Sequence, residues 1–247
     1  MRRIACVTVL ALVAFVASAT AASDPTSLAA KCGDTYGITA TPSWLTASDG
    51  TRLYAVETGT GRTGVVLVHE SPADLCGWLP YAESLADAGI RTLALDLRGF
   101  GDSRPPDRVP YYAYDRDLRA AVTRLRADGA SRVVLVGASF GGATVLTYGS
   151  QLDTNGVVSL SGELALHTGG LNADAGVKRL RVPLLLVGSR HDSYLPVGDA
   201  LKLLHDAGTK NKRTAFYPGV SHGWDIVEDA PYAAKARALV LAWLRNL

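Results

Sequence analysis

The sequence predicts one α/β domain built on a mostly parallel central sheet with helices on both faces. Three observations lead there. The chain has 247 residues, 48% of them hydrophobic, which suits a single domain with a sizeable core. Short, wholly apolar, β-branched runs recur, as in GVVLVH (64–69), RVVLVG (132–137) and VPLLLVGS (182–189). Such runs mark strands buried on both faces. They alternate with stretches of helical spacing, the pattern of parallel strands joined by helical crossovers.

The elements follow in order. Residues 23–42 read as an extended leader before the domain proper, 43–247. Two β-like runs within 44–59 flank Ser48-Asp49-Gly50, a hairpin signal. After the strand at 64–69 comes a helix at 78–88, stopped by Gly89. The strand RTLALDL (91–97) precedes a helix at 114–128, then the strand at 132–137 and a helix at 139–148. Strands are expected at 156–162 and 182–189, a helix at 197–207, a strand at 213–219 and an amphipathic helix at 232–247. The insertion between the strands at 156–162 and 182–189, residues 163–181, has room for a loop and one helix, 173–180. An insertion this short makes at most a small cap over that end of the sheet.

Arg2 and Arg3, the apolar run at 4–17 and the small residues Ala17-Ser18-Ala19 and Ala19-Thr20-Ala21 match a secretory signal peptide. Residues 1–22 are therefore expected to be removed, with cleavage near 19–22 and export of the rest. The apolar run is shorter than the ~18–20 residues of a membrane span, so no stable membrane anchor is expected. Without Arg2 and Arg3 the basic and acidic residues balance at 23 each. That argues against a nucleic-acid or anionic-membrane partner, which needs a basic surface. No repeat or heptad array marks an oligomer, and a monomer is the default reading. Cys32 and Cys76 remain after export. They either pair or stay free, and pairing is favoured. The bridge would close a loop of about 45 residues and add about 4 kcal/mol on a chain-entropy account.

Gly137-Ala138-Ser139-Phe140-Gly141 fits G-x-S-x-G between a strand and a helix. A serine there sits on a tight turn at the strand-end rim, where ligands bind in such sheets. The glycines remove side chains that would meet neighbouring elements. The N–H of Phe140 opens a helix, where orphan donors and the dipole favour negative charge. The competing reading is a structural or phosphate-type glycine turn. A serine needs a base to become a nucleophile. His222, in YPGVSHGWD after the last strand, is the candidate. His205, late in a helix, and His167, in a loop, carry no such signal. The base needs a carboxylate to hold its tautomer. Asp192, in LLLVGSRHDSYLP, follows a buried strand; Glu163, just past another, is the rival. No histidine has metal-ligand spacing, so neither metal nor organic cofactor is expected.

The segments VVLVHESPADLCGW, ALDLRGFGDS, VGASFGG, GSRHDSYLP and GVSHGW occur in that order. Together they resemble the α/β-hydrolase superfamily, over about residue 44 to the C-terminus. The resemblance implies Ser139 as nucleophile, His222 as base, Asp192 as orienting acid and a second oxyanion donor near Glu70 and Ser71. Two departures stand out. Glu70 takes a place usually held by glycine; it either points outward or narrows the site and repels anions. The step from Gly188 to Asp192 is one residue longer than usual, which keeps Glu163 in play. Trp78, Phe140 and Tyr194 are candidates to line the pocket or to pack in the core. The implied activity is an exported serine carboxylesterase on small-molecule esters. Amide, peptide or perhydrolase chemistry on the same triad is one alternative, and a non-catalytic binding protein the other.

Overall fold

A computed structural model describes residues 24–33, 38, 40–107, 109–166 and 170–247. The expected signal peptide, Cys6 and His167 lie outside the described residues. In chain order the elements are α1 (Leu28–Cys32), β1 (Thr41–Thr46), β2 (Arg52–Thr58), β3 (Thr63–Val68), α2 (Leu79–Asp87), β4 (Arg91–Leu95), α3 (Tyr114–Ala127) and β5 (Arg132–Ala138). They continue with α4 (Phe140–Tyr148), β6 (Gly156–Leu160), β7 (Ala165–Leu166), β8 (Leu171–Asn172), α5 (Ala173–Arg179), β9 (Leu184–Ser189), α6 (Val197–Asp206), β10 (Lys212–Tyr217) and α7 (Ala233–Arg245).

Eight strands form one sheet in the order β1-β2-β4-β3-β5-β6-β9-β10. β1 and β2 form the expected antiparallel hairpin, and β2 also runs antiparallel to β4. From β4 outward every pairing is parallel. The all-apolar strands are buried on both faces, as their composition requires. Val66 and Val68 point into a core with α3, α4, α5 and α6, whereas Val65 and Leu67 point into a second core with α2 and α7. Alternate residues of one strand thus fill two separate cores.

The leader is not wholly extended. Ser27 caps α1, its hydroxyl accepting the Ala30 N–H at 3.2 Å. Cys32 is bonded to Cys76, with Cα atoms 5.5 Å apart. Lys31 Nζ lies 2.8 Å from Asp96 Oδ2, with Asp74 and Asp102 close by, and over the Tyr54 ring. These long-range partners of one short helix leave no local periodicity to read. Between β6 and β9 the described residues form a two-residue ladder of β7 with β8, then α5.

Behind the sheet rim, Arg98 anchors the β4–α3 connection. Its guanidinium donates to Asp117, Asp49 and the Pro110 carbonyl at 2.7–2.9 Å, and it is fully buried. A buried guanidinium is tolerated only when its donors are filled in this way.

Candidate active site

Ser139 stands between β5 and α4 with φ 49° and ψ −114°. A non-glycine residue with positive φ stores strain of about 1–3 kcal/mol and persists only where its surroundings fix it. Here the fixing is visible. The Ser139 N–H donates to Leu160 O at 2.8 Å, and its carbonyl accepts the Ala143 N–H at 2.8 Å. The glycines let the turn close. A Cβ on Gly137 would lie 2.2 Å from Gly141 O, one on Gly141 2.1 Å from Val68 O, and one on Gly142 2.7 Å from Gly162 Cα. Any side chain there pushes the turn off the end of β3 or β6. Phe140 follows as the first residue of α4, so its N–H belongs to the orphan donors of a helix start.

His222 precedes a 3₁₀ turn, Gly223–Ile226. The loop before it is held by the Ser189 hydroxyl, which donates to Ser221 O at 2.6 Å. That proton being used, the Tyr232 hydroxyl donates to Ser189. A Cβ on Gly223 would lie 3.7 Å from Ala138 Cβ, so this loop reaches the same strand-end rim as Ser139. Both oxygens of Asp192 are within 3.0 Å of His222 Nδ1. Asp192 Oδ1 also accepts the N–H groups of Tyr194 and Leu195 at 2.9 and 3.2 Å. Burial works to raise this carboxyl's pKa, yet the bonds from His222 and the Tyr194 backbone win and hold it below the ordinary value. An ionised Asp192 keeps the proton on Nδ1 and leaves Nε2 as the basic nitrogen.

The longer step from Gly188 does not keep Asp192 from His222. Glu163 is half-buried nearby but makes no such bond. Burial raises its pKa, the His222 charge opposing and the Asp192 charge adding. Glu70 and Asp225 are raised likewise, first by burial, and each is attracted by a charge on His222. Four carboxyl groups therefore act on one imidazole, Asp192 by direct hydrogen bond. Tyr194 is exposed and lays its ring 4.7 Å from the His222 ring.

Glu70 and Ser71 follow β3. His69 is fully buried, its Nε2 accepting the Leu97 N–H at 3.1 Å and its Nδ1–H donating to Glu70 O at 2.8 Å. Phe140 packs its ring on Phe100 and Tyr114. Of the two readings open for Trp78 the structure supports the core and not a pocket wall: it is fully buried and edge-on to Trp224. Trp224 has the more exposed role. With Phe100, Pro72, Ala73, Asp74, Gly77, Gly99 and Gly101 it lines an open hollow of about 490 Å³ beside the Glu70 loop. In the sequence the only signal of this role is that Trp224 stands two residues after His222. Among the described residues no cluster of His, Cys, Asp and Glu could hold a metal ion, and no helix is long and apolar enough to cross a membrane.

A family model described as the alpha/beta hydrolase family matches residues 65–245. The chain belongs to the alpha/beta hydrolase family. Among solved structures, this alpha/beta hydrolase resembles an esterase of Pyrococcus furiosus, with a TM-score of 0.71 and 14% identity over 91% of this chain and 99% of that one. It also resembles a monoacylglycerol lipase of Paleococcus ferrophilus, with a TM-score of 0.66 and 21% identity over 78% and 98% of the two chains. At these identities the likeness is one of fold. Bifunctional epoxide hydrolase 2 of Rattus norvegicus is 34% identical over 102 residues, 41% of this chain and 18% of that protein. A serine hydrolase of Mus musculus is 35% identical over 117 residues, 45% of this chain and 39% of that protein. These matches thus span well under half of the relatives' own length.

Proposed function

We propose that this alpha/beta hydrolase cleaves carboxylic esters of small or medium size through an acyl-enzyme on Ser139. The observation that carries the reading is the bond of His222 Nδ1 to both oxygens of Asp192, on the rim that also holds the strained Ser139. Ser139 Oγ attacks the ester carbonyl as His222 Nε2 takes its proton. The N–H of Phe140 and a donor of the Glu70–Ser71 loop hold the oxyanion; losing one such donor typically costs ~10²–10³ in rate. His222 then protonates the leaving alcohol, and the same nitrogen activates water to release the acid. Among the described residues the insertion between β6 and β9 forms only β7, β8 and the seven-residue α5, too little for a large lid, which suits soluble substrates.

Some curated relatives are named epoxide hydrolases, so ring opening needs weighing. A serine that opened an epoxide would become an ether, which the histidine and water could not hydrolyse. A serine that attacks an ester carbonyl becomes an acyl ester, which they can. The nucleophile's chemistry therefore favours acyl transfer. Export also belongs to the proposal: the Cys32–Cys76 disulfide suits an oxidising compartment, and the N-terminal mass of protein recovered outside the cell tests it.

The deciding experiment is fluorophosphonate labelling read by intact mass. Wild type gains one adduct, Ser139→Ala gains none, and His222→Ala labels far more slowly. Folded wild type that takes no adduct refutes the proposal.

A further inference from the structure

Glu70 follows β3 directly after the fully buried His69, and its side chain has a definite place. Its Oε2 accepts the backbone N–H of Trp224 at 3.3 Å. The same oxygen occupies the position next to Gly223 where a side chain would begin, 1.8 Å from a Cβ placed there. Gly223 also has φ 58°, so the backbone after His222 is shaped to admit this carboxylate. The fit is reciprocal. Trp224 sends its indole back across the Glu70 loop, where a Cβ on Gly77 would lie 2.3 Å from its ring, and it meets Trp78 edge-on at 6.0 Å. Two glycines, Gly77 and Gly223, thus each admit a side chain from the opposite loop.

We infer that Glu70 is a positioning residue that clamps the loop carrying the base onto the loop carrying the oxyanion donor. The inference rests on the proposed triad. Its consequence is specific: the clamp fixes the distance between His222 and the oxyanion site, so it acts on the chemical step rather than on substrate capture. A misplacement of about 1 Å in such arrangements can cost ~10²-fold in rate. The acceptor oxygen performs this task, and glutamine supplies one of the same reach.

The test uses the full chain, with p-nitrophenyl acetate as substrate and a fluorophosphonate as probe. Glu70→Ala lowers kcat and the labelling rate about tenfold, with KM within about twofold of wild type. Glu70→Gln recovers most of that loss. Melting temperatures establish that each variant is folded. A double-mutant cycle gives a second readout: Gly223→Ala collides with the carboxylate in wild type but not in Glu70→Ala, so the two losses are less than additive. Unchanged kcat in Glu70→Ala, equal loss in Glu70→Gln, a change confined to KM, or strict additivity each overturns the clamp. Wild type that fails to label refutes the triad itself, a result distinct from all of these.

Discussion

Removing the Cys32–Cys76 bond tests how far the leader supports the domain. The two residues are 44 apart in sequence, and the span between them holds β1, β2 and β3. Releasing a loop of this size gives the unfolded chain about 13 cal/mol/K of entropy, or about 4 kcal/mol at 25 °C. The ion pairs of Lys31 with Asp96, Asp74 and Asp102 do not involve the bond, so the loss on reduction is expected mainly on the unfolded side. For a domain of this size 1 kcal/mol moves the melting temperature by about 2–4 °C, so the expected drop is roughly 8–16 °C. Calorimetry of the oxidised protein, of the protein with reductant and of Cys32→Ser/Cys76→Ser supplies the measurement. The last two samples agree if the bond alone is responsible. A drop below about 2 °C refutes the loop-entropy reasoning, and thiol titration beforehand confirms that the bond was present.

Four other outcomes follow. Asp192→Asn lowers kcat for an ester about 10³–10⁴-fold, because the amide no longer holds the histidine tautomer. Glu163→Gln leaves kcat nearly unchanged, and the reverse pattern would make Glu163 the orienting acid. Lys31→Met strips a cation from the fully buried Asp96 carboxylate and costs about 3 kcal/mol in urea unfolding. Burial pushes Glu228 up to about 7 from its usual 4.5. Its folded form thus holds an extra proton between those values, and stability falls as pH rises through that window. Glu228→Gln is then more stable than wild type by about 1 kcal/mol at pH 8, after solvent screening, and equal to it at pH 4; a constant difference across this range refutes the assignment.

Much of this architecture was legible because its signals are local. Apolar β-branched runs such as 64–69 and 132–137 can be satisfied only as doubly buried strands, and a serine among Gly137, Gly141 and Gly142 admits few geometries. His222 and Asp192 stand out in the sequence because they follow strands, and strand ends converge on one rim. What escaped depends on pairs distant in sequence. Lys31 is an ordinary surface lysine until three aspartates from two other loops meet it. Trp78 and Trp224 are both aromatic residues near the site; only their packing shows that the first is core and the second borders the hollow. Glu70 was noticed as a departure, but whether it narrowed the site or pointed away could not be settled without the backbone of Gly223, 153 positions later. The helix α1 was missed because its five residues are held by a bond and a charge cluster rather than by an amphipathic stripe.

The strand order also bears on synthesis. β1 to β4 make one contiguous half of the sheet, with β3 at its open edge, and β5, β6, β9 and β10 are then laid down outward in the order in which they are translated. Each newly made edge is apolar and stays bare until the next strand arrives, which makes shortened chains prone to stick to one another. On the proposed chemistry, reactivity is delayed in the same way. The loop of Glu70 emerges first, the serine later, its orienting acid later still, and the base only after the outermost strand is in place. A nascent or clipped chain that ends before residue 190 carries the nucleophile without anything to activate it, so hydrolysis begins only when the whole sheet has been closed.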